Sequence, residues 1–139
     1  MNQIIVETYH HKGAGYNPFF ITDNWQVAQL NYMPELGFQS IEKLEKHMET
    51  DEIFILTKGT AVLIAGIETP AEFQFELIKM EHGATYNIPV NAWHNIAMSV
   101  DAEVIIVEKS NTHLGDFVYR PLGKTEQDNL VRAISSLLQ

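Results

Sequence analysis

The chain has 139 residues, 45% hydrophobic and 19% charged, and contains no cysteine. That excludes disulfide staples, iron–sulfur clusters, thiolate zinc sites and a cysteine nucleophile, and leaves nitrogen and oxygen as the donors for any metal. Eighteen acidic residues against nine basic ones give a formal net charge of −9, the wrong sign for binding a phosphate backbone, so no nucleic-acid partner is expected.

The length fits one domain over 1–139, and no run approaches the roughly 18 consecutive apolar residues of a membrane helix, so no membrane partner is expected either. The opening Met1-Asn2-Gln3-Ile4-Ile5-Val6-Glu7 lacks a basic stretch followed by a long apolar one, which predicts no secretory signal and a cytoplasmic protein. His10 and His11 follow near the chain end and are read as exposed residues without a role. Turn signals come next at Lys12-Gly13-Ala14-Gly15 and Asn17-Pro18.

Short runs rich in β-branched and aromatic residues then recur at 25–32, 52–57, 60–65, 72–78, 84–88, 93–98 and 103–108, separated by Gly, Pro and Asn turns. This spacing predicts an all-β antiparallel barrel or sandwich with its core over about 25–110. The segment 40–48 reads two ways. Ile41, Leu44 and Met48 have helical spacing, whereas period two puts Glu45 and His47 on one strand face. The runs around Ile53 and Ile55 and around Ile105 and Val107 are apolar on both faces, so their outer face needs a cover and a homodimer is expected. A C-terminal α-helix is predicted over 125–138, with a cap at Thr125 and Asp128 and a stripe of Leu130, Val131, Ile134, Leu137 and Leu138.

Two stretches carry chemistry. The first reads Glu45-x-His47-x4-Glu52-x6-Gly59, the second Gly83-x5-Pro89-x-Asn91-x2-His94. Together they resemble the two motifs of the cupin superfamily, G-x5-H-x-H-x(3,4)-E-x6-G and G-x5-P-x-G-x2-H-x3-N, over about 37–98. The resemblance implies a double-stranded β-helix, or jelly roll, and a divalent metal held at the positions of His47, Glu52 and His94. It also shows departures: Glu45 stands at the first histidine, Gln39 at the opening glycine, Asn91 at the second motif's inner glycine and Met98 at its final asparagine. Asn tolerates the left-handed backbone that glycine would supply.

Two imidazoles with one or two carboxylates suit zinc, iron(II), manganese or nickel, and a three-ligand set leaves positions open for Lewis-acid chemistry. Glu45 either joins the shell, favouring a harder cation, or stays outside it. The phase set by Glu52 and His94 predicts that Tyr32, Phe54, Tyr86, Ile96 and Met98 line the barrel interior. Trp93 points the other way. His82 is read as an exposed turn residue, and His113 as a loop residue within reach of the barrel mouth. Two functions follow: a metal-dependent protein acting on a small polar molecule, sugar-like or carboxylate-like, and a non-enzymatic pocket that captures such a molecule without metal.

Overall fold

A computed structural model describes residues 5–139. Its strands form two five-stranded sheets. Across the first lie β1 (Gly15–Ile21), β2 (Trp25–Asn31), β9 (Glu103–Lys109), β4 (Glu52–Lys58) and β7 (Thr85–Ile88). Across the second lie β10 (Val118–Pro121), β3 (Lys43–Lys46), β8 (Trp93–Met98), β5 (Ala61–Glu68) and β6 (Phe73–Lys79). Every pairing between these strands is antiparallel, and the two ladders stay separate instead of closing into one ring.

The alternation of each strand decides what lies between the sheets. Gln26, Ala28 and Leu30 of β2, Val104, Ile106 and Glu108 of β9, and Glu52, Phe54 and Leu56 of β4 are buried, while Ile53, Ile55, Ile105 and Val107 between them are half-buried on the outer face. The inner face is thus apolar except for a polar fringe at one end, formed by Gln26, Glu108 and Glu52. That fringe becomes the site.

All seven runs read as strands are strands, and two more were not anticipated. β1 contains Asn17-Pro18, whose turn chemistry is absorbed at a bulge: the register with β2 shifts between Asn17 and Phe20. Proline is tolerated there because β1 is an edge strand. β10 is short and survives because it pairs with β3 from Val118↔Lys46 to Pro121↔Lys43. The ambiguous segment 40–48 supplies that strand β3. Pairing on both of its sides, with β10 and β8, overrides the helix-forming tendency of Glu, Lys and Leu.

The C-terminal helix, α1, runs Lys124–Leu138 and packs against β6 with Leu130 and Ile134 buried. Its N-terminus differs from the expectation at Thr125 and Asp128. Glu126 accepts the Gly123 N–H through Oε1 at 2.9 Å, and Asp128 pairs with Lys124 at 3.1 Å. Leu137, expected on the apolar stripe, is exposed. Gly59, which closes the first motif, has φ +80°, and a Cβ there would lie 2.6 Å from Ala102 Cα. Only glycine fits this β4–β5 turn.

Candidate metal centre

Four side chains from the two sheets meet at the polar fringe. Glu52 opens β4 in the first sheet; Glu45 in β3 and His94 in β8 face each other as a cross-strand pair in the second. His47 lies just past the end of β3. One donor atom from each of Glu45, His47, Glu52 and His94 lies within 4.8 Å of the other three. His47 and His94 point Nε2 at the same carboxylate, with His47 Nε2 3.1 Å from Glu52 Oε2 and His94 Nε2 3.0 Å from Glu52 Oε1. Glu45 Oε1 is more distant, 4.0 Å from His47 Nε2.

What aims the imidazoles is backbone. His47 Nδ1 donates to the Asp116 carbonyl at 2.6 Å and His94 Nδ1 to the Ala92 carbonyl at 2.9 Å. Donation from Nδ1 leaves Nε2 as the inward atom of both rings, the arrangement by which metal-ligating histidines are usually oriented. Asp116 acts twice: its carboxylate accepts the Met48 and Glu49 N–H groups at 2.8 and 3.0 Å, fixing the loop that carries His47. Asn91 sits at φ 66°, and its N–H donates to the His47 carbonyl at 2.7 Å. The second motif therefore braces the first, with asparagine taking the left-handed backbone as expected.

The proton balance follows from these contacts. Burial works to push Glu52 up, but hydrogen bonds from both histidines hold it well below the ordinary carboxylate range. Burial disfavours the His47 cation, and the bond to Glu52 with its charge outweighs that, raising His47 to about 9. His94 is raised by the same balance. Glu45 is pushed up by burial and then by the charge of Glu52. Two imidazoles and a carboxylate converging from a buried frame form a nitrogen/oxygen donor set that fits a divalent transition ion.

No family model matches the chain, and no curated protein matches it. Solved structures do. A cupin-2 domain protein from Shewanella frigidimarina is 18% identical, with 72% of this chain and 84% of that one covered, at TM-score 0.51. An RmlC-like cupin with a double-stranded β-helix fold from Methanocaldococcus jannaschii is 15% identical, with 81% and 97% covered, at 0.53. The chain has the cupin fold. An oxalate decarboxylase from Lactobacillus farciminis, solved as a formate complex, shares that fold at TM-score 0.50 and 15% identity over 78% of this chain and 32% of that one.

Within this fold the cluster opens onto a cavity of about 310 Å³. Of the residues expected to line it, Phe54 and Ile96 do so, beside Leu30, Leu36 and Ile106. Tyr32, Tyr86 and Met98 do not line it. Met98 is buried in the core where β8 pairs with the first residue of β5. Tyr86 lies on β7, at the far edge of the first sheet, and its hydroxyl accepts the Glu81 N–H at 2.9 Å. Tyr32 falls just beyond β2, where the strand phase lapses. His113 does reach the cavity, and His82 is exposed, with Nε2 2.7 Å from the Gly59 carbonyl.

Sequence reasoning missed a second polar group beside the first. Glu108 pairs with Gln26 across β9 and β2. It also lies one residue beyond the Ile53↔Val107 pair, so it neighbours Glu52 on the inward face. Its Oε1 accepts the Tyr16 hydroxyl at 2.5 Å and Gln26 Nε2 at 3.1 Å, and His113 Nδ1 lies 3.3 Å from that amide. Burial, and then Glu52, push Glu108 up to about 8. The signal was available: Val104, Ile106 and Glu108 alternate, which carries a carboxylate inward with the apolar phase.

Proposed function

We propose that this cupin-fold protein holds a divalent transition metal through His47, Glu52 and His94, with Glu45 at the border of the shell, and binds a small polar molecule in the adjoining cavity. The observation that carries the reading is the paired orientation of the two imidazoles. Both Nδ1 groups are tied to main-chain carbonyls, and both Nε2 atoms converge on Glu52 within 3.1 Å. An ion bound there would act as a Lewis acid toward an oxygen of the occupant. Glu108, beside Glu52 and raised to about 8, places a carboxyl group near it to accept or release a proton.

A second reading keeps the cavity and drops the metal. It is favoured by the completeness of the hydrogen bonding already present, since Glu52 satisfies both imidazoles and the protein then captures a metabolite without turnover. The two are separated by metal analysis of untagged protein purified without chelator, then exposed to zinc, manganese or iron(II) and desalted. The metal reading expects close to one ion per chain, and retention of none overturns it. The apolar outer row Ile53, Ile55, Ile105 and Val107 further supports a homodimer joined through the first sheet, which light scattering at tens of micromolar tests. A monomer at that concentration overturns the dimer.

A further inference from the structure

The cavity has a polar inner end and a mouth that carries two aromatic rings, and the strand register links them. Tyr119 of β10 pairs with Glu45 of β3, which in turn pairs with His94 of β8. At about 4.8 Å per strand this sets Tyr119 roughly 10 Å from His94 along one row of the second sheet. Phe117 precedes Tyr119 by two residues, and the two rings stand 5.2 Å apart. Both line the cavity that contains the cluster, yet Phe117 is 37% exposed and Tyr119 48%. A second groove adjoins it, sharing Met33, Leu36, Glu45, Asn95 and Tyr119 with the cavity.

Two adjacent aromatic rings stand at the mouth of the cavity, Tyr119 with the Lys43 ammonium 3.8 Å over one face and both rings partly open to solvent, and together they make a surface suited to a ring-shaped group, with Lys43 beside it to favour an acidic one. The inner end differs: its polar groups are the histidines and carboxylates of the cluster and of the Glu108 network. An occupant satisfying both ends has an oxygen-bearing head and an apolar body. We propose that Phe117 and Tyr119 form a recognition site for the ring of such a molecule, a small aromatic or alicyclic acid or similar oxygen-donor ligand, with its head at His47, Glu52 and His94. The inference rests on the metal reading above and extends it from a polar occupant to an amphipathic one.

The test uses the full-length, zinc-loaded protein and two hydroxamates that share a metal-binding head and differ in the body, acetohydroxamate and benzohydroxamate. Calorimetric titration is expected to give at least about tenfold tighter binding of benzohydroxamate, as burying a ring against aromatic side chains provides. In the Phe117→Ala/Tyr119→Ala double variant that preference should shrink to within about threefold with zinc content unchanged. If that variant fails to fold or to keep zinc, Phe117→Leu and Tyr119→Leu, which keep apolar volume on β10 and just before it, carry the same comparison. Equal binding of the two probes by the wild type, or a preference undiminished in the variants, overturns the ring site alone. Wild-type protein that keeps no zinc brings down the metal reading and this inference with it.

Discussion

Glu52 on the inward face of β4 and Glu108 on the inward face of β9 neighbour each other across one ladder, and each is only 5% exposed. Their ionisation nonetheless runs in opposite directions, Glu52 held below the ordinary carboxylate range and Glu108 pushed up to about 8. Burial alone would raise both. The difference lies in the partners: Glu52 receives two imidazoles, which become cations in its company, while Glu108 receives a phenol and an amide on one oxygen and, among the described residues, no donor on the other, with the Glu52 charge beside it. Two buried carboxylates side by side are tolerated because one is matched by positive charge and its neighbour keeps its proton.

Isosteric amides break or sharpen this contrast most directly. Glu52→Gln should abolish metal retention and destabilise the metal-free protein by about 3–5 kcal/mol, since it strips two buried imidazoles of their shared anion. Glu108→Gln should cost no more than about 1 kcal/mol, because an amide resembles the neutral acid and keeps a carbonyl oxygen for Tyr16 and Gln26. Urea unfolding with metal analysis reads both. Equal costs would mean that the two carboxylates are not in different states.

The next effect is on metal affinity through His47. Asp116→Ala removes the clamp on the Met48 and Glu49 amides and should weaken zinc binding by about 10–100-fold, the range for lost supporting contacts around a metal ligand. Competition with a chromogenic chelator measures it. Asp116→Asn, which keeps one acceptor, should fall between that variant and the wild type.

The pH dependence has two opposing signs. His47 is raised from 6.5 to about 9, so its contribution to metal-free stability is full below 6.5 and lost as pH rises through about 9. Glu108, raised from 4.5 to about 8, likewise favours the folded state below 4.5 and loses that contribution as pH rises through about 8. Glu52 is lowered from 4.5, so its stabilisation is present above 4.5 and lost as pH falls through its depressed value. Thermal melts of metal-free protein should therefore decline from pH 6 to 9, on the order of a few degrees. Zinc affinity should climb over the same window, because the ion displaces the imidazole protons. Parallel pH trends would count against the histidines as the ligands.

The smallest effect is expected at Glu45. Its carboxylate is 34% exposed and 4.0 Å from His47 Nε2, so Glu45→Gln should leave zinc affinity within about fivefold of the wild type, as for a partly solvated charge beside a site. Complete loss of metal would instead make Glu45 the replacement for the motif's missing histidine.

By itself the sequence determined the architecture and the identity of the cluster. Seven of the strands and the C-terminal helix were legible because apolar alternation and turn residues are local signals, and the meeting of His47, Glu52 and His94 was legible through the resemblance of the two motifs, with the place of Glu45 left open. What only the tertiary structure decided depends on which strands become neighbours. The 40–48 segment is a strand because β10 and β8 flank it, and Pro18 is accommodated because β1 lies at an edge. Tyr86 left the cavity because β7 lies at the other edge. Asp116, far along the chain, reaches His47 through a carbonyl that no motif records. Glu108 became half of a carboxyl pair through a register set by the whole β4–β9 ladder. Period two tells which face a residue takes, but the residue beside it on that face comes from the neighbouring strand, and that neighbour sets its charge.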